Sequence, residues 1–483
     1  MGSSSSSHNA DATSGGQKHI CIIGLGPVGL GALKTVKDAP QFKDGTWRVT
    51  AFEGRDNIGG IWYPAPADED PPLTALYDSL TTNTPHPFMC YSSMLYSPGT
   101  PIYCPATTVL QYIYDFSARF DLEPHIKLST RVTSVHWNQA SSRWDVTVEG
   151  PAGKETIPFD LILVSNGHFR VPRFPQTPSL ATWISQGKAT HTAFYRRPET
   201  YRGKLLVVGG AYSGQDVAAE TRPFASAIIH SITDATPKDL DGGKFKIRGR
   251  VAEYLDPAEG KIVFEDGSTE SGVDHVVVAT GYQFNFPFLS EPEVTPTTPV
   301  PVPPLPAALH NTTYHLFPLA KHMFPLVTSY PPSSLAFLGL PLRVAPFPLA
   351  EVQARAALQV FADPSTLDIA HETEVVRARH ATFLAEHGGD VRAAADAWFR
   401  FGFEEMFDYR DELYEFVGDP YRIPQAERRL FEEKDFLREQ WRAIERDGEA
   451  EEWLRGVGAG EDPVQEWEDH MWKVYKRTVP SSE

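Results

Sequence analysis

His19-Ile20-Cys21-Ile22-Ile23-Gly24-Leu25-Gly26-Pro27-Val28-Gly29 is the stretch that decides the fold. A short apolar run reads as a buried strand, and Gly24, Gly26 and Gly29 follow at the spacing G-x-G-x-x-G. The first glycine permits a tight turn, the second lets backbone approach a pyrophosphate, and the third lets a helix pack closely on the strand. Leu30 to Lys37 has helical character, and its N-terminus offers free N–H groups and positive dipole to phosphates. Arg48 to Phe52 reads as the next strand and ends at Glu53, an acid placed to accept hydrogen bonds from a ribose. Strand, glycine turn, helix, strand is the first half of a doubly wound α/β unit.

The pattern returns from Lys204. Leu205 to Val208 is an apolar strand, Gly209-Gly210-Ala211-Tyr212-Ser213-Gly214 is a glycine-rich turn with Ala211 at its middle position, and Gln215 to Glu220 starts a helix. Ala227 to Ser231 is the second strand of this unit. Between the units, Trp144 to Val148 alternates as a half-buried strand does, and Leu161 to Val164 is a buried strand running into Ser165-Asn166-Gly167-His168. Another buried strand spans His275 to Ala279 and leads into Thr280-Gly281-Tyr282. Pro292 to Pro306 is Pro-rich and reads as a loop or linker. Beyond Glu351 the pattern is helical and charged, as in Glu351 to Phe361 and Glu433 to Ile444.

The 483 residues suffice for two or three domains with their own cores. Sixty-two acidic against 44 basic residues, a net charge of -18, argue against a nucleic-acid partner, which needs clustered Lys and Arg. No apolar run approaches the roughly 20 residues that span a bilayer, and no secretory signal opens the chain. Met1 to Gln17 is Ser-, Gly- and Asn-rich and reads as a disordered tail, although Met1-Gly2 with Ser6 also fits the short N-myristoylation pattern. Cys21, Cys90 and Cys104 form neither a CxxC pair nor a zinc spacing, which points to a reducing, cytoplasmic setting and away from the disulfide reductases. His310, His315 and His322 have no helical i, i+4 spacing and no accompanying carboxylate, so no metal is expected. No G-x-S-x-G elbow supports a hydrolase.

Two dinucleotide turns in one chain imply two cofactors, or a bound flavin plus a diffusing nicotinamide. Gly59-Gly60-Ile61-Trp62 adds two glycines that let backbone lie near a flat ligand, with Trp62 to cover it. Next in order come Leu80-Thr81-Thr82-Asn83-Thr84-Pro85, Asn166-Gly167-His168, Gly187-x-x-x-His191-x-x-x-Tyr195, Ser213-Gly214-Gln215-Asp216 and Ala279-Thr280-Gly281-Tyr282. Leu335-Ala336-Phe337-Leu338-Gly339-Leu340 and Glu351-x-Gln353-Ala354-Arg355 follow. In that order these segments resemble the flavin-containing monooxygenases over nearly the whole chain after the tail.

The resemblance implies FAD on the first unit, held by Gly24, Gly26, Pro27, Val28, Gly29, Glu53, Ile61 and Trp62, with Thr82, Val132, Thr280 and Gly281 also in cofactor contact. It implies NADPH on the second unit, held by Gly209, Tyr212, Ser213, Gly214, Gln215 and Ser231, with His191 and Tyr195 near the substrate or nicotinamide. Asn83 matches the family asparagine beside flavin and nicotinamide, the expected catalytic residue. The implied reaction reduces FAD with NADPH, forms a C4a-hydroperoxyflavin with O2, and oxygenates a nitrogen or sulfur nucleophile. The acidic helical end is similar to fungal members that act on secondary-metabolite alkaloids, amines or peptides.

Departures are visible too. Ser185 stands where the His191 and Tyr195 fingerprint begins with an aromatic residue, and Asp234, after Ser231-Ile232-Thr233, replaces a basic residue that would hold a 2′-phosphate. NADH is therefore an alternative donor, with Lys238, Lys244 or Arg248 as substitute phosphate ligands for NADPH. Baeyer–Villiger oxygenation of a ketone and a non-catalytic nucleotide-binding protein are the rival functions. The expected architecture is α/β: two Rossmann-like dinucleotide-binding domains, the NAD(P)H domain (175–272) inserted into an FAD domain (18–174 and 273–364), and a helical acidic C-terminal region (365–483) packed on the FAD domain. Expected partners are a small-molecule substrate and O2, with no nucleic acid and no integral membrane segment; a homodimer is left open.

Overall fold

The structure is a computed structural model that describes residues 16–296 and 305–477. All but the last two residues of the expected N-terminal tail lie outside the described residues, as do residues 297–304 of the Pro-rich stretch. Among the described residues, no helix is long and apolar enough to cross a membrane.

The first unit grows from the glycine turn outward. Strand β1 (Lys18–Ile23) lies parallel between β2 (Trp47–Phe52) and β3 (Leu161–Val164), with Ile20 level with Val49 and Leu161. Helix α1 (Pro27–Asp38) makes the crossover from β1 to β2 and buries Leu30, Leu33 and Val36. Leu335–Phe337 joins β3 at one edge and Ile126–Lys127 joins β2 at the other, giving five parallel strands. The β1 side chains from Ile20 to Ile23 are buried, as both faces of a parallel sheet require. An antiparallel meander, Arg131–Asn138, Arg143–Gly150 and Gly153–Phe159, precedes β3. The alternating pattern marks only its middle strand; Gly153–Phe159 is largely exposed and carries no apolar period.

The second unit repeats the plan. Strand β4 (Lys204–Val208), helix α2 (Tyr212–Thr221) and β5 (Ala227–Ser231) form its core, with β6 (His275–Val278) on the far side of β4. The helix begins at Tyr212 rather than Gln215, because Gly214 already belongs to the first helical turn, as Gly29 does in α1. The second sheet runs past residue 272: β6 is hydrogen-bonded between β4 and Ala189–His191 and ends at Val278. One correction concerns the Pro-rich stretch, where Val294–Pro296 forms a short parallel strand with Leu309–Asn311.

The chain crosses between the two sheets twice, after β3 and again after β6. The passages are joined: Val171–Pro172 pairs antiparallel with Tyr282–Gln283, and the Arg173 guanidinium donates to Tyr282 O at 3.0 Å and to Thr313 O at 2.5 Å.

Helix α3 (Pro346–Ala362) is apolar on nearly every side and packs on α1. The more polar α4 (Lys434–Arg446) and α5 (Pro463–Tyr475) follow in the C-terminal region. Two of the three late histidines serve packing. His315 shares a 2.8 Å hydrogen bond with the Thr312 hydroxyl, and His322 packs among Trp398, Phe399, Phe401 and Tyr409.

His86 is 1 % exposed and lies against Tyr96 and against Trp467 of α5. Burial lowers its pKa from 6.5 to about 3. The unfolded chain therefore takes up a proton near pH 6.5 that the folded protein refuses until about pH 3. The resulting stability is whole above pH 6.5 and is lost as pH falls through that window, at about 1.4 kcal/mol per pH unit. His86→Phe is expected to make the fall in unfolding free energy between pH 6 and 4 shallower by about one proton's worth, read from urea unfolding at several pH values. An unchanged slope would remove His86 from the acid sensitivity.

Candidate functional site

The first glycine turn is held from three sides. Gly24 has φ +91°, and a Cβ there would lie 2.8 Å from both Ser165 O and Asn166 Cα, so the segment after β3 rests on the turn. A Cβ at Gly29 would lie 2.0 Å from Gly24 O, which is the close helix-on-strand contact that the third glycine permits. Gly26 has ordinary backbone angles, but its missing Cβ would stand 3.4 Å from Gly60 Cα. The two glycine backbones thus run side by side at the start of α1, leaving a shallow cradle without side chains. Pro27 is the first residue of α1, and its carbonyl accepts the Tyr91 hydroxyl at 2.5 Å. Val28 meets the position a Cβ would take on Gly339, so Leu338-Gly339-Leu340 closes on the same helix start.

Glu53 is buried, and its two carboxylate oxygens accept the Leu25 and Arg55 N–H groups, each at 2.9 Å. A carboxylate has about four acceptor positions, so capacity remains for a ribose hydroxyl. Ser129 and Thr130 N–H donate to Arg55 O and Glu53 O, which brings Val132 beside the same corner. Arg55 donates to Gly60 O and Tyr63 O and so fixes the 3-10 turn Gly60–Trp62. On that turn Ile61 is exposed and Trp62 half-buried.

The second turn has the same construction. Gly209 has φ +125°, and a Cβ there would lie 2.3 Å from Ala279 O; a Cβ at Gly214 would lie 2.0 Å from Gly209 O. Ala279 thus rests on Gly209 as Ser165 rests on Gly24. Tyr212 and Ser213 begin α2, and the Gln215 amide folds back onto Gly210 O at 2.8 Å. The Ser231 hydroxyl donates to Gly249 O at 2.8 Å and the Thr280 hydroxyl to Arg173 O at 2.5 Å, so both side chains are engaged by the protein; Gly281 follows with φ +81°.

Thr82 and Asn83 sit on a segment pinned through Thr82 N–H to Cys104 O and Ala106 N–H to Leu80 O. Asn83 is half-buried, and its side-chain oxygen meets only the Thr84 hydroxyl, at 3.4 Å. Among the described residues its NH2 group has no protein acceptor, and so it is available to a ligand. The preceding residues reach across to the second unit: Tyr77 donates to Asp216 at 2.6 Å and Ser79 to Glu220 at 2.7 Å.

His191 and Tyr195 lie in the second unit, His191 level with Val278 of β6 and Tyr195 against α2. His191 is fully buried beside Phe174 and Tyr282; its Nδ1 accepts the Ala193 N–H at 3.1 Å, and burial lowers its pKa to about 4, so the ring is neutral. Tyr195 is 1 % exposed and gives its hydroxyl to Glu220 at 2.7 Å, inside the core between α2 and its sheet. Tyr77, Asp216 and the α4 residues that meet them are the contacts the sequence reading missed. Asp216 alone carried a signal, as the last residue of Ser213-Gly214-Gln215-Asp216.

Comparison with known proteins is consistent with this geometry. The profile of the family described as Flavin-binding monooxygenase-like matches residues 17–236 and 229–383. Flavin-containing monooxygenase FMO GS-OX-like 1 of Arabidopsis thaliana is 29% identical over 358 residues, covering 70% of each chain. The thiol-specific monooxygenase of Saccharomyces cerevisiae is 29% identical over 355 residues, covering 71% of this chain and 77% of its own. The structure of S-allyl-L-cysteine S-oxygenase from Allium sativum superposes with a TM-score of 0.73 at 25% identity, over 95% of this chain and 99% of that one.

Proposed function

Because this chain belongs to the Flavin-binding monooxygenase-like family, we propose that it uses FAD and NADPH to insert one oxygen atom of O2 into a soft sulfur or nitrogen nucleophile of a small molecule. The observation that carries this reading is the duplicate construction: two glycine turns, each with a crossing backbone resting on its first glycine. Sulfur is favoured over nitrogen because two relatives are named for thiol and S-allyl-cysteine oxygenation.

The residues fit the groups they are assigned. Gly26 and Gly60 leave room for a pyrophosphate at the N-terminus of α1, and Glu53 keeps acceptor capacity for the adenosine ribose. Gly209 to Gln215 would take the nicotinamide nucleotide at α2. Bound FAD supplies the redox chemistry, accepting hydride and activating O2. The protein's part is to hold both nucleotides and to present the Asn83 amide, which can donate and accept without adding charge. We assign residues 18–174 and 279–364 to the FAD unit, 175–278 to the nicotinamide unit, and 365–477 to a helical region packed on the first.

Turnover with NADPH against a panel of thiols, thioethers, tertiary amines and ketones tests the function, with products read by mass. Gain of one oxygen on sulfur or nitrogen is the expected outcome. Esters from ketones alone would make the protein a Baeyer–Villiger enzyme, and absence of NADPH consumption with every compound would leave it a nucleotide-binding protein.

NADPH is expected to reduce the flavin faster than NADH. Of the three basic residues available for a 2′-phosphate, Arg248 is taken by Asp239 at 2.7 Å and Glu270 at 2.9 Å. Lys238 and Lys244 make no ion pair among the described residues and are the remaining ligands. Stopped-flow reduction with each donor decides the point. Equal rates, or faster reduction by NADH, would show that Asp234 governs the pocket.

A further inference from the structure

Helix α4 lies beyond residue 383, where the family profile ends, yet it meets both the nicotinamide helix and the Asn83 segment. Lys434, Asp435, Arg438 and Arg442 fall on one helical face by their spacing. Asp435 accepts the hydroxyl of Tyr212, the first residue of α2, at 2.7 Å, and the Lys434 carbonyl accepts the Tyr103 hydroxyl. Arg438 is buried where three parts of the chain converge. Its guanidinium stands 3.7 Å from the Asp216 carboxylate of α2, 3.5 Å from the Thr81 hydroxyl two residues before Asn83, and 5.8 Å from the centre of the Tyr212 ring. Arg442 reaches the other Asp216 oxygen at 3.6 Å.

We propose that Arg438 is a positioning residue for hydride transfer, setting the offset between the first turn of α2 and the Asn83 segment. This rests on the reading of α2 as the NADPH helix. The contacts of Arg438 are too long for strong hydrogen bonds. Its Nε is buried without a partner, so its hydrogen bonds alone do not account for a charge placed there. What the charge does have is Coulomb attraction to Asp216 in a poorly solvated place, with the Thr81 hydroxyl against the same terminal nitrogen. Such a link fixes distance between two segments without reaching the nucleotide itself. Reduction depends on the nicotinamide meeting the flavin at a narrow range of distances, and a misplacement of about 1 Å can cost about a hundredfold in rate.

The test is anaerobic stopped-flow flavin reduction in the full-length protein, with 2′,5′-ADP as a probe of the nicotinamide unit alone. In Arg438→Met the reduction rate at saturating NADPH is expected to fall about ten- to a hundredfold. FAD content and 2′,5′-ADP affinity should match the parent, and Arg438→Lys should recover most of the rate. Asp216→Asn attacks the other end of the link while leaving a partner for the Tyr77 hydroxyl; it should show the same defect, with no further loss in the double variant. An unchanged saturating rate in both single variants overturns the proposal while leaving the NADPH reading intact. Loss of rate in step with lost FAD and lowered thermal midpoint, in the Met and Lys variants alike, overturns it in favour of a packing role. If the parent itself is not reduced by NADPH, the underlying reading falls and this inference with it.

Discussion

Gly26→Val is expected to give a folded, colourless protein where the parent carries about one FAD per chain. Valine is compatible with the Gly26 backbone, whose φ is -72°, so the substitution introduces no left-handed strain. Its Cβ would stand 3.4 Å from Gly60 Cα, so its two methyl groups must project from the touching glycine backbones over the start of α1. That is the space assigned to the pyrophosphate, and the helix N–H groups behind it would be screened as well. Flavin absorbance per chain after gel filtration, with circular dichroism to verify folding, is the measurement. A full flavin load would show that the first cradle is misassigned. Gly29→Val is the contrasting control. Its Cβ would lie 2.0 Å from Gly24 O, a backbone atom that cannot yield, so that variant should fail at the level of folding and soluble yield.

This contrast shows what could be read from sequence and what could not. The glycine turns were legible because every requirement is local: an apolar strand, three glycines at fixed spacing and an acid one strand later lie within about forty residues and admit few other structures. Glu53 was legible for the same reason. The meander strand Gly153–Phe159 was not, because it faces solvent and owes its place to pairing with Arg143–Gly150 rather than to any period of its own. His191 and Tyr195 were legible only through a motif, and the Tyr195 bond to Glu220 inside the second unit's core carries no local signal. Arg438 had no sequence signal at all. Its partners Thr81 and Asp216 are hundreds of residues away, and nothing in Lys434 to Arg446 distinguishes it from an amphipathic surface helix.

Asn83→Ala should retain FAD and still accept hydride from NADPH, but consume most of that NADPH to make hydrogen peroxide. Oxygen activated at the flavin is productive only while water and stray protons are kept from it and the polar contacts around it are already set. The Asn83 NH2 group has no protein acceptor among the described residues, and its carbonyl makes only one long contact, so both ends of the amide are free for nicotinamide, flavin or bound oxygen. An uncharged group suits this place, because a cation or anion would move protons as well as hold position. Losing one preorganised donor commonly costs a hundredfold or more, so the ratio of oxygenated product to NADPH consumed should drop at least about tenfold. Peroxide titrated in parallel closes the balance. Unchanged coupling would return Asn83 to a turn residue before Thr84-Pro85, and loss of FAD would mean that its main task is to hold the cofactor.

The paired crossings between the sheets have a kinematic consequence. A domain hung on one strand can swivel and slide; the second unit is hung on two, and Val171–Pro172 is laced to Tyr282–Gln283 where they pass. Arg173 rivets that ribbon to the strand ends around it. Two laced passages deny the unit the free swivel of a domain on one tether, and the Tyr77 and Ser79 hydroxyls hold α2 to the segment before Asn83. The same two-ended suspension works against exchange of this unit between neighbouring molecules, since both strands would have to change partners at once.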